Sequence, residues 1–193
     1  DHQYADFVDG RNAVFDAQRL TPNTHFIAST GIGGRTANAT ARVMMDAYAV
    51  QGLRPGQVAH LYAPDHLNRT SDYGVRFERG TTVDYADRRQ AFISGTASID
   101  NQGRVVVPGD IRLQTQRMWQ NVQALLAEAD MDFGHVAQLL VYLRDPSDYA
   151  VVSRLFARRF PATPHVILWA PVCRPGWLIE MECIAVKATD TDA

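Results

Sequence analysis

The chain has 193 residues, 46% of them hydrophobic and 21% charged, with a formal net charge of -2. That composition excludes a disordered or low-complexity chain, and it lacks the basic excess of a dedicated nucleic-acid binder. No run reaches the ~20 apolar residues of a membrane span, and no basic-then-apolar leader opens the sequence.

In chain order, Gly10 to Leu20 reads as a helix and His25 to Ser29 as a strand. Val43 to Val50 reads as another strand, and it echoes Ile179 to Val186 residue for residue. Residues 1–50 therefore read as the second half of a degenerate earlier copy of the unit that follows. Half a unit leaves sheet edges uncovered, so we expect a truncated chain or one completed by another polypeptide. Residues 51–87 read as a connector with one strand over Val58 to Tyr62, long enough to contribute to a site.

Gln90 to Gly95 reads as a strand, and Arg104 to Val107 as a second one stopped by Pro108 and Gly109. Asp110 caps a helix in which Trp119, Val122, Leu125, Leu126 and Ala129 recur at helical spacing. Val136 to Leu143 is a strand too apolar to have a wet face. Asp145, Pro146 and Asp148 start a second helix, with Tyr149, Val152, Leu155, Phe156 and Phe160 as its buried stripe. Pro161 and Pro164 end it. Strands follow over His165 to Trp169 and Trp177 to Val186. Residues 88–187 thus read as a complete α+β unit, a mixed sheet with two helices on one face. Residues 188–193 form a tail.

Period two puts Glu180 and Glu182 on one face of the last strand, among apolar neighbours. Desolvation and mutual repulsion would raise a carboxyl pKa there, as a general acid near neutral pH requires. The alternative is a solvated edge. Cys173 and Arg174 lie in the tight turn before that strand. Arg174 is suited to bind a carboxylate or to lower a thiol pKa; the alternative is a small buried thiol beside a surface Arg. Tyr73 and Arg79 flank a loop-like stretch that ends in Gly80, and Arg and Tyr are usual partners of a small carboxylate. Ser29 to Gly34 is Gly-rich but precedes a strand, which removes the dinucleotide-loop context. The six His show no metal spacing. Arg154, Arg158 and Arg159 read as a solvated helix face. Cys173 and Cys183 are too far apart along one strand to form a disulfide, so we read both as reduced and the protein as cytoplasmic.

Phe92-Ile-Ser-Gly-Thr-Ala-Ser98, Pro108-Gly-Asp-Ile111, Gln114-Thr115 and Ile179-Glu-Met-Glu182 resemble the RidA/YjgF superfamily, over roughly residues 88–187. Within it the sequence is similar to the chorismatases, which carry two such units in one chain. The degenerate upstream copy, Phe77-Glu-Arg-Gly80 and Cys173-Arg-Pro-Gly-Trp-Leu-Ile-Glu180 carry that likeness. The resemblance implies release of pyruvate from chorismate without metal or cofactor. It implies catalytic roles for Glu180 and Cys173, and substrate contacts from Arg79, Gly80, Tyr73 and Arg174. Gly80 together with Cys173 is similar to the branch that forms 3-hydroxybenzoate. Another branch forms a dihydroxycyclohexadiene carboxylate by hydrolysis.

Two other readings stand beside it. RidA-like imine deaminases place a carboxylate-binding Arg fifteen residues before the strand Glu, where this sequence has His165. The upstream copy has Met44 where the downstream one has Glu180. The third reading is a non-catalytic small-molecule binding module. The expected partner is chorismate, with no nucleic acid and no membrane. Single-unit relatives form trimers with sites between subunits, so a homo-oligomer or a missing N-terminal segment would complete the assembly.

Overall fold

Alternating β-branched and small residues build one sheet, and two amphipathic helices cover one of its faces. The computed structural model describes residues 2–34, 37, 38 and 40–189, and their side chains except those of His2, Gln3 and Tyr73. The elements are α1 (His2–Ala17), β1 (Val58–Leu61), β2 (Gly80–Asp84), β3 (Arg88–Ala97), α2 (Ile111–Glu128), β4 (Val136–Leu143), α3 (Tyr149–Arg159), β5 (His165–Trp169) and β6 (Ile179–Ala188). The sheet has six strands in the order β1-β2-β3-β6-β4-β5. β4 and β5 pair in parallel across α3, and the other neighbours pair antiparallel.

The core lies between the sheet and α2 and α3. Met118, Val122, Leu125 and Leu126 of α2 and Val152 and Phe156 of α3 meet Leu139, Val141, Ile179, Met181 and Cys183. Trp119 packs edge-on against Phe156 and Phe160, at ring separations of 5.3 and 5.5 Å. Asp110 caps α2, its side chain accepting from the amides of Arg112 and Leu113. The Asp145 side chain accepts from the Ser147 amide. It caps a 3-10 turn over Pro146–Asp148, so α3 begins three residues later than the sequence suggests.

Several elements differ from expectation, each for a physical reason. α1 begins well before Gly10 and ends at Ala17. Tyr4, Val8, Arg11 and Phe15 share one helical face, and the helix passes through Gly10, whose α-carbon faces open space. His25 to Ser29 forms no strand, only a single bridge from Ala28 to Glu78. Its amides go to side chains: Phe26 N–H to Glu78 Oε1 at 2.7 Å and Ser29 N–H to Ser94 Oγ at 3.0 Å. Val43 to Val50 forms no strand either. Met44 and Met45 are exposed, and Tyr48 reaches back to pack its ring, tilted, against Phe92. A strand pattern without a partner edge makes no ladder. Arg104 to Val107 is a turn closed on Asp100, with one bridge from Val105 to Ile99.

The segment expected to connect two units supplies β1 and β2 to the sheet. β6 runs from Ile179 to Ala188, so the expected tail starts inside a strand. Residues 190–193 lie outside the described residues. No helix among the described residues is long and apolar enough to cross a membrane.

Candidate active site

The face of the sheet turned away from α2 and α3 carries a cleft roofed by α1. Tyr4, Phe7 and Arg11 of α1 line it, with Ser29 and Gly31 of the following segment, Val75, Phe77, Gly95, Cys173, Arg174, Trp177 and Glu180. Its empty space, open solvent at the mouth included, is about 500 Å³, of which about 30 Å³ is wide enough to centre a water molecule.

Glu180 stands at its floor. On β6 it pairs with Tyr142 of β4 and Ala97 of β3. It is 4% exposed, and its Oε2 is buried without a hydrogen-bond partner among the described residues. Burial first, then the nearby Glu182, push its carboxyl up to about 8, against a smaller opposing pull from Arg79. The group is thus mainly protonated at neutral pH, an acid kept in its neutral form. Glu182 shares the face, and its Oε1 accepts from the Tyr142 hydroxyl at 2.9 Å. Burial and then Glu182 hold that phenol above its ordinary range.

A backbone irregularity makes room for Glu180. The β3–β6 register shifts between Ile93 and Thr96. At Gly95 a Cβ would lie 2.1 Å from Glu180 Oε1 and 2.7 Å from Thr30 Cγ2. Only glycine lets the carboxyl lie across the strand there. The freed Gly95 amide donates to Thr30 Oγ1 at 2.8 Å, and the Ser94 hydroxyl donates to Glu78 O at 2.6 Å.

The Cys173 loop forms the opposite wall. Cys173 Sγ donates to Gly31 O at 2.8 Å, and Gly33 N–H donates to Pro171 O at 3.0 Å. Burial, then the Glu180 charge, raise the thiol pKa; Tyr4, Arg174 and Arg11 oppose this with weaker effects. Arg174 does pull the thiol pKa down, but desolvation outweighs it, so the alternative of a buried thiol prevails. Behind the loop, Arg144 donates to the carbonyls of Trp177 (2.7 Å), Val172 (2.6 Å) and Arg174. Gln114 Nε2 donates to Val107 O and Gly176 O, and Gln114 Oε1 accepts from Leu178 N–H. A half-buried Arg and a buried Gln thus fix the loop.

The structure brings Glu180, Cys173 and Arg174 together at this cleft. Two other expected contacts do not reach it. Arg79 is buried, donates to Asn68 O and Oδ1, and lies outside the cleft wall. Gly80 faces Leu61 and Ile93 on the helix side, where a Cβ would approach them to 3.0 and 3.1 Å. Close packing requires glycine there; the cleft does not. The side chain of Tyr73 lies outside the described residues. His165 also points away: its ring meets Phe156 and its Nδ1 lies 2.9 Å from Thr163 O. Tyr4, Phe7 and Arg11 escape a reading from sequence because nothing local ties α1 to β6. Ser29 and Gly31 of the Gly-rich stretch line the cleft with them. Among the described residues no group of three or more His, Cys, Asp or Glu could hold a metal ion.

A family profile described as "Endoribonuclease L-PSP" matches residues 81–187. The chain belongs to this family. A RutC family protein of Pyrococcus abyssi is 35% identical over 98 residues, covering 50% of this chain and 77% of the relative. Protein DfrA of Myxococcus xanthus is 30% identical over 101 residues, covering 51% and 77%. Among solved structures, a chorismatase superposes with a TM-score of 0.72 at 23% identity, covering 94% of this chain and 57% of its own. TdcF of E. coli, solved with bound serine, gives a TM-score of 0.56 at 19% identity, covering 67% and 98%. The fold is that of the L-PSP family, and residues outside the matched range extend it along the chorismatase.

Proposed function

We propose that this L-PSP family member is a chorismatase-like enzyme. It cleaves chorismate to pyruvate and a hydroxybenzoate, with 3-hydroxybenzoate the favoured product. One observation carries the reading: a buried, unpartnered carboxyl, Glu180, held protonated near neutral pH at the floor of a cleft. Superposition on a chorismatase over nearly the whole chain supports it. Residues 1–50 are taken as half of a degenerate second unit, and a reduced Cys173 and Cys183 suit the cytoplasm.

The step we assign to Glu180 is proton transfer to the methylene carbon of the enolpyruvyl ether. The ether carbon gains oxocarbenium character. The C4 oxygen then bonds to C3, returning its proton to Glu180, while the C3–O electron pair leaves with pyruvate and a C3–C4 epoxide closes. The epoxide opens by breaking its C4–O bond, which leaves the oxygen on C3; loss of the C3 ring proton aromatises the ring, and the phenol oxygen takes up a proton in its place. Atoms balance without an added reactant. Cys173 shapes the pocket beside the acid and keeps water from competing with the internal hydroxyl. Arg79 acts from behind, anchoring the Asn68 turn and moderating the acidity of Glu180.

A RidA-like imine or enamine deaminase is the second reading, favoured by the RutC family relatives. Incubation with chorismate, with pyruvate assayed and products resolved by chromatography, separates the two. Pyruvate with 3-hydroxybenzoate is the expected result. Pyruvate with a dihydrodiol keeps the reaction class and overturns the product. Ammonia release from an imine, without pyruvate from chorismate, favours the deaminase. A Glu180→Gln enzyme with full activity overturns the assignment of the acid.

A further inference from the structure

Arg11 is a cation that α1 carries into the cleft, with no ion pair to a carboxylate among the described residues. Its Nε is buried and, among the described residues, has no hydrogen-bond partner. Its guanidinium carbon lies 5.7 Å from the Phe7 ring centre and 5.6 Å from that of Phe15. Rings hold a guanidinium in place but do not satisfy its donors. Its pKa is lowered, first by burial, and an arginine so placed remains charged. A half-buried charge with an unmet donor is unfavourable until an anion arrives.

Arg11 and Glu180 line the same cleft, together with Tyr4, Cys173 and the rings of Phe7, Phe77 and Trp177.

We propose that Arg11 is the carboxylate receptor of this cleft, binding the ring carboxylate of a small cyclic acid within reach of Glu180. Which carboxylate it takes rests on the chorismatase reading; that it takes a carboxylate does not. The planar fork of Arg suits bidentate binding of such a group. α1 then belongs to the site as a specificity element.

The test compares benzoate with its uncharged isostere benzamide, by calorimetry on the wild-type chain. Benzoate should bind roughly ten- to a hundredfold tighter, the range for hydrogen bonds to a charged group. Arg11→Gln should abolish that preference, Arg11→Lys should restore part of it, and Arg158→Gln, on the exposed face of α3, should keep it. A wild type that binds benzoate no better than benzamide, or binds neither, overturns the proposal without any variant. So does an Arg11→Gln chain that retains the preference. None of these titrations uses chorismate, so the two ideas fail separately. Carboxylate selectivity through Arg11 with no pyruvate release sinks the reaction alone. Undiminished pyruvate release from Arg11→Gln sinks the receptor alone.

Discussion

Met181 and Glu180 are neighbours on β6, nearly equally buried at 0% and 4% exposure, and point to opposite faces of the sheet. Met181 meets the side chains of α2 and α3 and has no strong polar atom to satisfy. Glu180 meets a cleft, a second carboxyl and an unfilled hydrogen-bonding site. Burial of the first contributes stability by removing apolar surface from water. Burial of the second shifts a proton equilibrium instead. The same strand thus separates stability from reactivity by one residue of register.

The sharpest way to break this comparison is to exchange the two effects by mutation. Glu180→Gln should lower pyruvate release by roughly 10²- to 10⁴-fold, the usual contribution of a positioned acid, while the fold persists. Met181→Ala should do the reverse. It should cost about 2–5 kcal/mol in chemical denaturation and leave turnover per folded molecule largely intact. Equal losses of stability from both would show that the cleft face is simply more core.

The pH dependence of stability sharpens the same contrast. The folded Glu180 carboxyl titrates near 8, above its ordinary 4.5. The folded state therefore binds the proton more tightly than the unfolded chain. Its contribution is complete below about pH 4.5 and is lost as pH rises through about 8. The loss is on the order of a few kcal/mol. Denaturation of wild type and Glu180→Gln at roughly pH 5 and pH 9 should show that difference in the wild type only. Parallel curves would mean that Glu180 is charged in the folded state.

The helix face was legible from sequence because its signals are local. Spacing in α2 and α3, the Asp110 and Asp145 caps and the apolar run of β4 lie within single elements. Glu180 and Cys173 were legible through motif and period. The rest of the cleft was not, because it is assembled from distant segments. Arg11 reaches it only because the Phe15–Phe26 stack and the Arg76–Asp16 pair hold α1 over the sheet. Arg79 and Gly80 misled because adjacency to a motif says nothing about which face a side chain takes.

Smaller effects test how the cleft face is held. Gly95→Ala puts a methyl group 2.1 Å from the Glu180 carboxyl. It should cost about 1–3 kcal/mol as overpacking and lower turnover further by displacing the acid. Adding Glu180→Ala should remove part of the stability cost, because the carboxyl clash is gone while Thr30 Cγ2, 2.7 Å from the new methyl position, remains. Arg144→Gln frees the carbonyls of Val172, Arg174 and Trp177. It should cost about 1–3 kcal/mol and speed hydrogen exchange across the Cys173 loop.

The smallest effect is the most specific. Thr30→Val keeps the shape of the side chain and deletes the oxygen that receives the Gly95 amide. The expected loss is about 1 kcal/mol. Thr30→Ser keeps the oxygen and removes the methyl group, so it should leave stability near that of the wild type. If Thr30→Ser proved the more damaging of the two, the bulge would be held by methyl packing rather than by its hydrogen bond. The N-terminal segment would then position Glu180 as a packing wall, and the same logic would make Ser29→Ala, which leaves the Ser29 amide on Ser94 Oγ, silent in both assays.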